Sequence, residues 1–317
     1  MCSPHVGRAA HRRSHPRQVV CVLVILMVGA GGCAQRQQPQ HPPPAAKQLR
    51  VVATIYPLAD WARQVGGEYV NVATLLRPGS NPHTYEPSPQ DGLLVAQCQL
   101  LFSVGLGLED WIDELAIAAG SGSQRLVKLG EALPKEKLLA GDPHVWLDPD
   151  LAAIMVEKMG AAMGEADPAH AAEYASRASG YAASLRALAS KCAERLAGLA
   201  VRKAVVHHAA FRYLFRRCGI ELVGAIEESP GKEPSSAHLA ALVDVMRREG
   251  LKVIFVEPRT SAKPAEVVAR EVGARLVVLD DLGDPADPKR ATYTSLIEYN
   301  VERIAQALGS ASAEDSR

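Results

Sequence analysis

Several features that would point to common functional classes are scarce or missing in this sequence of 317 residues. Aromatic residues make up only 5% of the chain, which argues against the stacking surfaces that bind single-stranded nucleic acid. The 35 basic and 35 acidic residues cancel to a formal charge of zero, so we expect no phosphate-binding surface and no nucleic acid partner. The six cysteines include no CxxC pair, which argues against a cysteine-based zinc knuckle.

The apolar run near the N-terminus is too short to serve as a stable membrane span. It covers residues 19–28 (VVCVLVILMV), whereas a spanning helix needs about 20 apolar residues. Basic residues precede it, and small residues ending at Cys33 follow it, which is the arrangement of an export signal. We therefore predict a signal peptide over residues 1–32 that resembles a bacterial lipoprotein signal, with lipid on Cys33. Plain secretion with cleavage nearby is the alternative.

The remaining chain predicts a tether followed by two α/β lobes. Residues 33–48 are rich in proline and glutamine and cannot build a core, so they are interpreted as the tether. Beyond them, strand-like runs alternate with helical patterns, which indicates βαβ units and mostly parallel sheets. The predicted strands are Arg50–Ile55, Val70–Leu76, Leu100–Val104, Lys203–Val206, Val253–Glu257 and Arg275–Leu279.

One long helix is predicted between the two groups of strands. Apolar residues step by three or four from Tyr174 to Leu199, and Asp167-Pro168 is a suitable helix start. A helix from 168 to 199 would have about 32 residues and a length of about 48 Å. The sequence therefore predicts an N-terminal lobe at 49–166, a rigid linking helix at 167–200 and a C-terminal lobe at 201–317.

Four loops carry residues that are common metal ligands, and each loop lies near the end of a predicted strand or the start of a helix. In open parallel sheets, ligands bind beyond the carboxyl ends of the strands, so a cleft between the lobes would bring these loops together. Adjacent strand residues point to opposite faces, so at most one of the paired histidines faces that cleft. The candidates are His83, His144, His207 or His208, and Asp280 or Asp281.

Three imidazoles and one carboxylate would form a four-coordinate metal site. Imidazole-rich sites suit zinc, copper, nickel or iron, whereas oxygen-rich sites suit magnesium, calcium or manganese. Each candidate taken alone is more often a surface residue or a hydrogen-bonded residue. The prediction of a metal site therefore depends on their joint occurrence in these loops.

Long stretches of the sequence resemble the metal-specific solute-binding proteins of bacterial ABC transporters, called cluster A-I or cluster 9. The resemblance covers about residues 49–309, and the stretches that carry it occur in the family's order. They are PGSNPHTYEPSP, DPHVWLDP, HAAFRYL, EESPGKEPSSAHLAALVDVMRREGLKVIFVEP and LDDLG. The resemblance implies two (β/α) lobes joined by one long helix. It also implies a monomeric receptor, outside the cytoplasm, that delivers a metal ion to a membrane permease without catalysis.

The resemblance also implies the identity of the ligands. It places them on His83, His144, His208 and Asp280, although Asp281 stands where the family usually has proline, so either aspartate remains open. Histidine at the third position is typical of zinc members, whereas many manganese members have glutamate there, so Zn²⁺ is the predicted cargo. Residues 92–140 lack the histidine-rich loop of many zinc members, which keeps Mn²⁺ or iron open.

Some expectations concern residues around the site and rival functions. Glu257, at the end of a strand, is interpreted either as a residue that supports a ligand or as a structural residue, and the structural role is preferred. Residues 229–236 (SPGKEPSS) are interpreted as a surface loop near the cleft that contacts the transporter. Cys192 and Cys218 could pair in an oxidising compartment. A secreted metallohydrolase is disfavoured because no HExxH sequence occurs, and an adhesin would be distinguished by metal-independent binding to its partner.

Overall fold

A computed structural model describes residues 48–77, 79–120 and 124–309 of the chain. The predicted signal peptide, Cys33 and nearly all of the predicted tether lie outside these residues. Within them, no helix combines the length and apolar character needed to cross a membrane.

The N-terminal lobe is built on a parallel sheet of four strands within the described residues. The strands are β1 (Leu49–Ala53), β2 (Val70–Thr74), β3 (Leu100–Ser103) and β4 (Arg125–Lys128). The helices are α1 (Tyr56–Gly66), α2 (Pro89–Gln97), α3 (Ile112–Ala118) and α4 (Pro149–Ala166). The order is β2-β1-β3-β4, and the central strands are apolar because hydrophobic clusters cover both faces of the sheet.

The C-terminal lobe repeats this topology in the part of the chain that the structure describes. Its strands are β5 (Lys203–Val206), β6 (Glu221–Ala225), β7 (Val253–Val256) and β8 (Arg275–Val278). They are parallel, and their order β6-β5-β7-β8 matches that of the first sheet. Its helices are α6 (Arg212–Arg217), α7 (Ser236–Arg248), α8 (Lys263–Val272) and α9 (Tyr293–Gly309). The predicted architecture of two α/β lobes with parallel sheets is confirmed.

The linking helix, α5 (Ala171–Leu196), has 26 residues, so the expected span of about 32 was too long. Its predicted first turn is instead a 3-10 turn over Pro168–His170. Asp167 stabilises this turn, because its Oδ2 accepts hydrogen bonds from His170 Nδ1 at 2.7 Å and from the Tyr174 hydroxyl at 2.8 Å. At 1.5 Å per residue the helix is about 39 Å long, which still links the two lobes.

One hydrophobic core extends from the first lobe through α5 into the second. It includes Phe102 of β3, Leu185 of α5 and Phe255 of β7, all essentially inaccessible to solvent. Cys192 and Cys218 lie in this core as free thiols, and burial raises their thiol pKa values to about 12 and about 11. Such thiols are protonated at neutral pH and therefore unreactive.

Candidate metal centre

Three loops bring the predicted histidines to one point between the lobes. His83 lies in a 3-10 turn over Pro82–Thr84 in the loop that follows β2, and the Asn81 side chain accepts a hydrogen bond from its backbone N–H. His144 lies in the loop that leads into α4, and His208 follows β5. The loops come from both halves of the chain, as the sequence predicted.

The three imidazoles converge through their Nε2 atoms. His144 Nε2 lies 3.0 Å from His83 Nε2 and 3.2 Å from His208 Nε2. One ligand atom from each of the three residues lies within 4.8 Å of the other two. Four ligands at about 2.0–2.1 Å from a tetrahedral zinc ion lie about 3.3 Å apart. The two distances to His144 Nε2 therefore match the separation of neighbouring ligands on one metal ion.

Asp142 fixes the orientation of the His144 ring. Its Oδ1 accepts a hydrogen bond from the His144 backbone N–H at 3.0 Å and lies 2.8 Å from His144 Nδ1. A carboxylate at this distance assigns the imidazole proton to Nδ1, which leaves a lone pair on Nε2. The structure therefore turns a ligand atom of His144 toward the other two histidines.

Glu257 orients the ring of His208 in the same way. Its buried Oε1 lies 3.1 Å from His208 Nδ1, and neither carboxylate oxygen has another hydrogen-bond partner among the described residues. Of the two interpretations of Glu257 that the sequence left open, this contact favours a residue that orients a ligand over a purely structural one. Since both Nδ1 atoms face carboxylates, the Nε2 lone pairs of His144 and His208 face each other across 3.2 Å. Two acceptors in this arrangement are stabilised only by a cation or a proton between them.

The histidines at this site have opposite tendencies toward protonation. Burial, together with the neighbouring His144 and His208, lowers the pKa of His83 to about 3. Burial also opposes protonation of His208, but its hydrogen bond to Glu257 and the charges of Glu257, Asp281 and Glu227 outweigh this and raise its pKa. His83 is therefore neutral at physiological pH, whereas the raised pKa of His208 makes protons stronger competitors for its ring than for an ordinary histidine.

Asp280 is fully buried and is held by two arginines. Arg259 and Arg290 donate to its two carboxylate oxygens, and two backbone N–H groups of the following turn donate to Oδ1 at 3.0 and 3.1 Å. The Asn300 side chain binds both the N–H and the C=O of Asp280. This carboxylate is thus occupied by arginines and lies outside the cluster formed by the three histidines.

Asp281 is the neighbouring carboxylate that acts on the histidines. Its negative charge favours protonation of both His83 and His208, and its side chain is only 9% exposed. The nearest cation in the described chain is Arg259, at a long 3.8 Å. Asp281, like Asp280, lies outside the cluster of three histidines, but it is less tightly paired with arginine than Asp280 is.

The sequence of this chain matches the profile of a family described as ZnuA, zinc-uptake complex component A, periplasmic, over residues 51–307. The chain belongs to this family. The resemblance to cluster A-I solute-binding proteins is thereby confirmed, and the family consists of metal-binding proteins of ABC transporters rather than enzymes.

Relatives in this family carry the names of several metals. The iron-binding protein YfeA of Yersinia pestis is 30% identical over 278 residues, which cover 85% of this chain and 89% of YfeA. The manganese-binding lipoprotein MntA of Bacillus subtilis is 29% identical, with 83% of this chain and 91% of MntA covered. The solved periplasmic zinc-binding protein TroA of Treponema pallidum has a TM-score of 0.76 at 26% identity, covering 83% of this chain and 100% of TroA. Membership in the family therefore establishes metal binding but leaves the metal of this chain open.

His207, the alternative third histidine, points away from the cluster. Its Nε2 lies 3.1 Å from Glu227 Oε1, and Glu227 Oε2 accepts the backbone N–H of Gly231 at 2.9 Å. Gly231 has a φ of +75° and comes so close to Thr84 that an added Cβ would lie 2.9 Å from its methyl group. His207 thus anchors a C-terminal loop against the loop that carries His83.

Two aromatic residues hold the His83 loop in place, and sequence reasoning missed the first of them. Trp111 donates from Nε1 to the carbonyl of Pro82 at 3.1 Å, and its ring packs on Tyr85 with a centroid distance of 5.1 Å. The Tyr85 hydroxyl lies 2.9 Å from Asp91 Oδ2, next to the start of α2. The PHTYEPSP motif was a signal for Tyr85, whereas nothing in the sequence paired Trp111 with this loop.

Proposed function

We propose that this protein captures one divalent transition-metal ion between its lobes and delivers it to the membrane permease of an ABC transporter. The observation that carries the proposal is the pair of Nε2 lone pairs on His144 and His208, held face to face by Asp142 and Glu257. His83 adds a third, neutral imidazole at 3.0 Å from His144. A metal ion would satisfy all three nitrogens at once.

The fourth ligand in this proposal is Asp281. Its charge acts on two of the three histidines, and its contact with Arg259 is long enough to be exchanged for a metal. Asp280, the ligand predicted from the family motif, would first have to leave two arginines and two backbone donors. Assignment of Asp280 as a ligand stays a prediction, and the contacts favour its neighbour.

Zinc is the metal that this ligand set favours. Three imidazoles and one carboxylate form a tetrahedral site of borderline softness, whereas manganese prefers more oxygen ligands and a higher coordination number. Relatives named for zinc, manganese and iron have comparable identity to this chain, so the preference for zinc depends on the ligand atoms. We place the protein on the outer side of the membrane, attached through lipid on Cys33, in line with MntA, which is named as a lipoprotein.

Elemental analysis of the purified protein after dialysis against a chelator and reloading tests this proposal. We expect one zinc ion per chain. In competition experiments, the affinity for zinc should exceed that for manganese by about 100-fold or more. The change His144→Ala should weaken zinc binding by about 100-fold or more, because it removes the central ligand. His238→Ala is the matched control, since His238 lies in α7 and contacts the carbonyl of Ala225 instead. Unchanged zinc affinity in His144→Ala would refute the site.

A further inference from the structure

Trp146 lies between the histidines of the metal centre and the turn that carries the two aspartates. It follows His144 by two positions, in the 3-10 turn Val145–Leu147 that leads into α4, and it is fully buried. Its ring centroid lies 5.2 Å from that of His144, and the two planes are tilted by 50°. The indole therefore packs directly against the central ligand of the proposed site.

The same side chain also holds the aspartate turn (residues 280–283) of the second lobe. Trp146 Nε1 donates to the backbone carbonyl of Asp281 at 2.6 Å, and this bond crosses from the first lobe to the second. Indole has one N–H and no acceptor, so this contact uses the whole hydrogen-bonding capacity of the ring. Because the bond is made to the backbone, it positions the aspartate turn without occupying either carboxylate.

A chain of hydrogen bonds fixes the backbone of Trp146 as well. Its carbonyl accepts from the Tyr293 hydroxyl at 2.6 Å, and the backbone N–H of Tyr293 donates to Asp60 Oδ2 of α1 at 2.9 Å. All three residues are buried, so breaking one of these bonds would leave a polar group without a partner. The position of Trp146 is therefore determined by contacts with both lobes.

The metal centre needs an external support for the aspartate turn because its carboxylates do not lie among the histidines. The three imidazoles form a cluster that includes neither Asp280 nor Asp281, and both carboxylates contact Arg259. The separation between His144 and the aspartate turn therefore decides whether a carboxylate can complete the metal's ligand shell. Trp146 contacts both sides of that separation.

We propose that Trp146 is a positioning residue that sets the distance between His144 and the aspartate turn, and that it thereby favours zinc over manganese. Tetrahedral zinc needs one carboxylate at a fixed place beside the three imidazoles, whereas manganese prefers more oxygen ligands. A loosened turn would hold that one carboxylate less well, while manganese could still gain oxygens from water or a second carboxylate. The inference rests on the proposed metal capture, but it holds whichever aspartate supplies the ligand.

Zinc and manganese affinities of Trp146→Phe test this inference, since phenylalanine keeps a ring beside His144 but has no N–H for the Asp281 carbonyl. We expect zinc affinity to fall about tenfold or more. Manganese affinity should fall less than about threefold, so the preference for zinc narrows. The matched control is Trp61→Phe, because Trp61 is equally buried and its Nε1 has no hydrogen-bond partner among the described residues. It should change either affinity less than about twofold.

A double-mutant cycle separates positioning of the turn from loss of packing. Trp146→Phe is combined with whichever of Asp280→Asn and Asp281→Asn weakens zinc binding. If Trp146 acts through the turn, the double variant should bind zinc within about threefold of the weaker single variant. Zinc losses that multiply fully, or no zinc loss in either aspartate variant, would overturn the inference.

Tyr293→Phe provides a second test that removes a single oxygen atom. It deletes the hydroxyl bound to the Trp146 carbonyl, so zinc affinity should fall about threefold even if Trp146→Phe does not fold. Unchanged zinc affinity in Tyr293→Phe, or equal zinc losses in Trp146→Phe and Trp61→Phe, would also overturn the inference. Failure of the proposed metal capture would appear separately, as unchanged zinc affinity in His144→Ala.

Discussion

One carboxylate beside each of two histidines determines which ring nitrogen faces the metal centre. Asp142 and Glu257 each engage an Nδ1 atom, and the two rings then present only their Nε2 lone pairs to the centre. The two facing acceptors are stabilised by a proton or by a metal ion between them, so the metal ion and a proton compete for the same position.

The two adjacent aspartates should respond differently to loss of charge. Asp281→Asn should weaken zinc binding by about 10-fold or more with little change in the free energy of unfolding, because its contacts are few. Asp280→Asn should lower the free energy of unfolding by about 3 kcal/mol, because it leaves Arg259 and Arg290 buried without their counter-ion. Chemical denaturation and zinc titration of both variants measure this. If Asp280→Asn lost zinc binding without losing stability, Asp280 rather than Asp281 would be the fourth ligand.

Zinc affinity should fall as the pH falls through the raised pKa of His208. Below that pKa, which lies above the usual 6.5, the zinc ion must displace a proton from His208. Protonation of His83 does not compete with zinc over this range, because the pKa of His83 is about 3. Glu257→Gln removes the hydrogen-bonding charge that raises the pKa, so the bend in log affinity against pH should move to lower pH. Competition titrations with a zinc chelator from pH 5 to about 8 measure the bend. A bend that stays in place, or moves to higher pH, would contradict this assignment of the proton.

The sequence indicated the three histidines because each stands in a loop stiffened by proline or at the end of a clear strand. It did not indicate the partners of Glu257 and Asp280. Glu257 contacts His208, which precedes it by 49 positions, and Asp280 contacts Arg259 of a neighbouring loop. Such pairs depend on the conformation of two loops at once, which no local pattern encodes.

At the scale of elements, the strands that were predicted are confirmed to within two residues, and the two that were missed lie at sheet edges. β4 (RLVK) and β6 (ELVGA) are edge strands, and their runs are short with charged or glycine residues within them. Edge strands need less burial than central strands, so their apolar signal is weak. The linking helix was overestimated because its apolar spacing continues beyond its last hydrogen-bonded turn.

Two glycines offer a matched test of how α4 and α5 pack. An added Cβ at Gly160 of α4 would lie 2.5 Å from Ala178 Cβ of α5, whereas one at Gly180 of α5 would meet nothing within 4 Å. Gly160→Ala should therefore destabilise the protein by about 1–3 kcal/mol, because the helices must separate. Gly180→Ala, at an exposed helical position, should stabilise it by about 0.5–1 kcal/mol. Chemical denaturation measures both, and equal effects would contradict the close helix contact.

At the scale of the whole molecule, the two lobes are joined by more than the linking helix. Trp146 donates from Nε1 to the carbonyl of Asp281 at 2.6 Å, and the Tyr293 hydroxyl donates to the carbonyl of Trp146 at 2.6 Å. The Tyr56 hydroxyl donates to the carbonyl of Ala291 at 2.7 Å. These bonds and the shared core oppose a wide opening of the cleft, so release of the metal requires local rearrangement of the loops.

Small-angle X-ray scattering of the metal-free and zinc-loaded protein should therefore give nearly superimposable curves. We expect the radius of gyration to change by less than about 1 Å, because a wide hinge rotation would break the core that the lobes share. A decrease of about 2 Å or more on loading would contradict a rigid connection between the lobes.

X-ray absorption at the zinc edge, on protein loaded with one equivalent of zinc, tests the central claim most directly. The account predicts a first shell of nitrogen and oxygen at about 2.0–2.1 Å, with the outer-shell scattering of three imidazoles. Loss of one imidazole in His208→Ala should be visible in the same spectra. A spectrum with a single imidazole, or with a sulfur shell at about 2.3 Å, would contradict a site built from His83, His144 and His208.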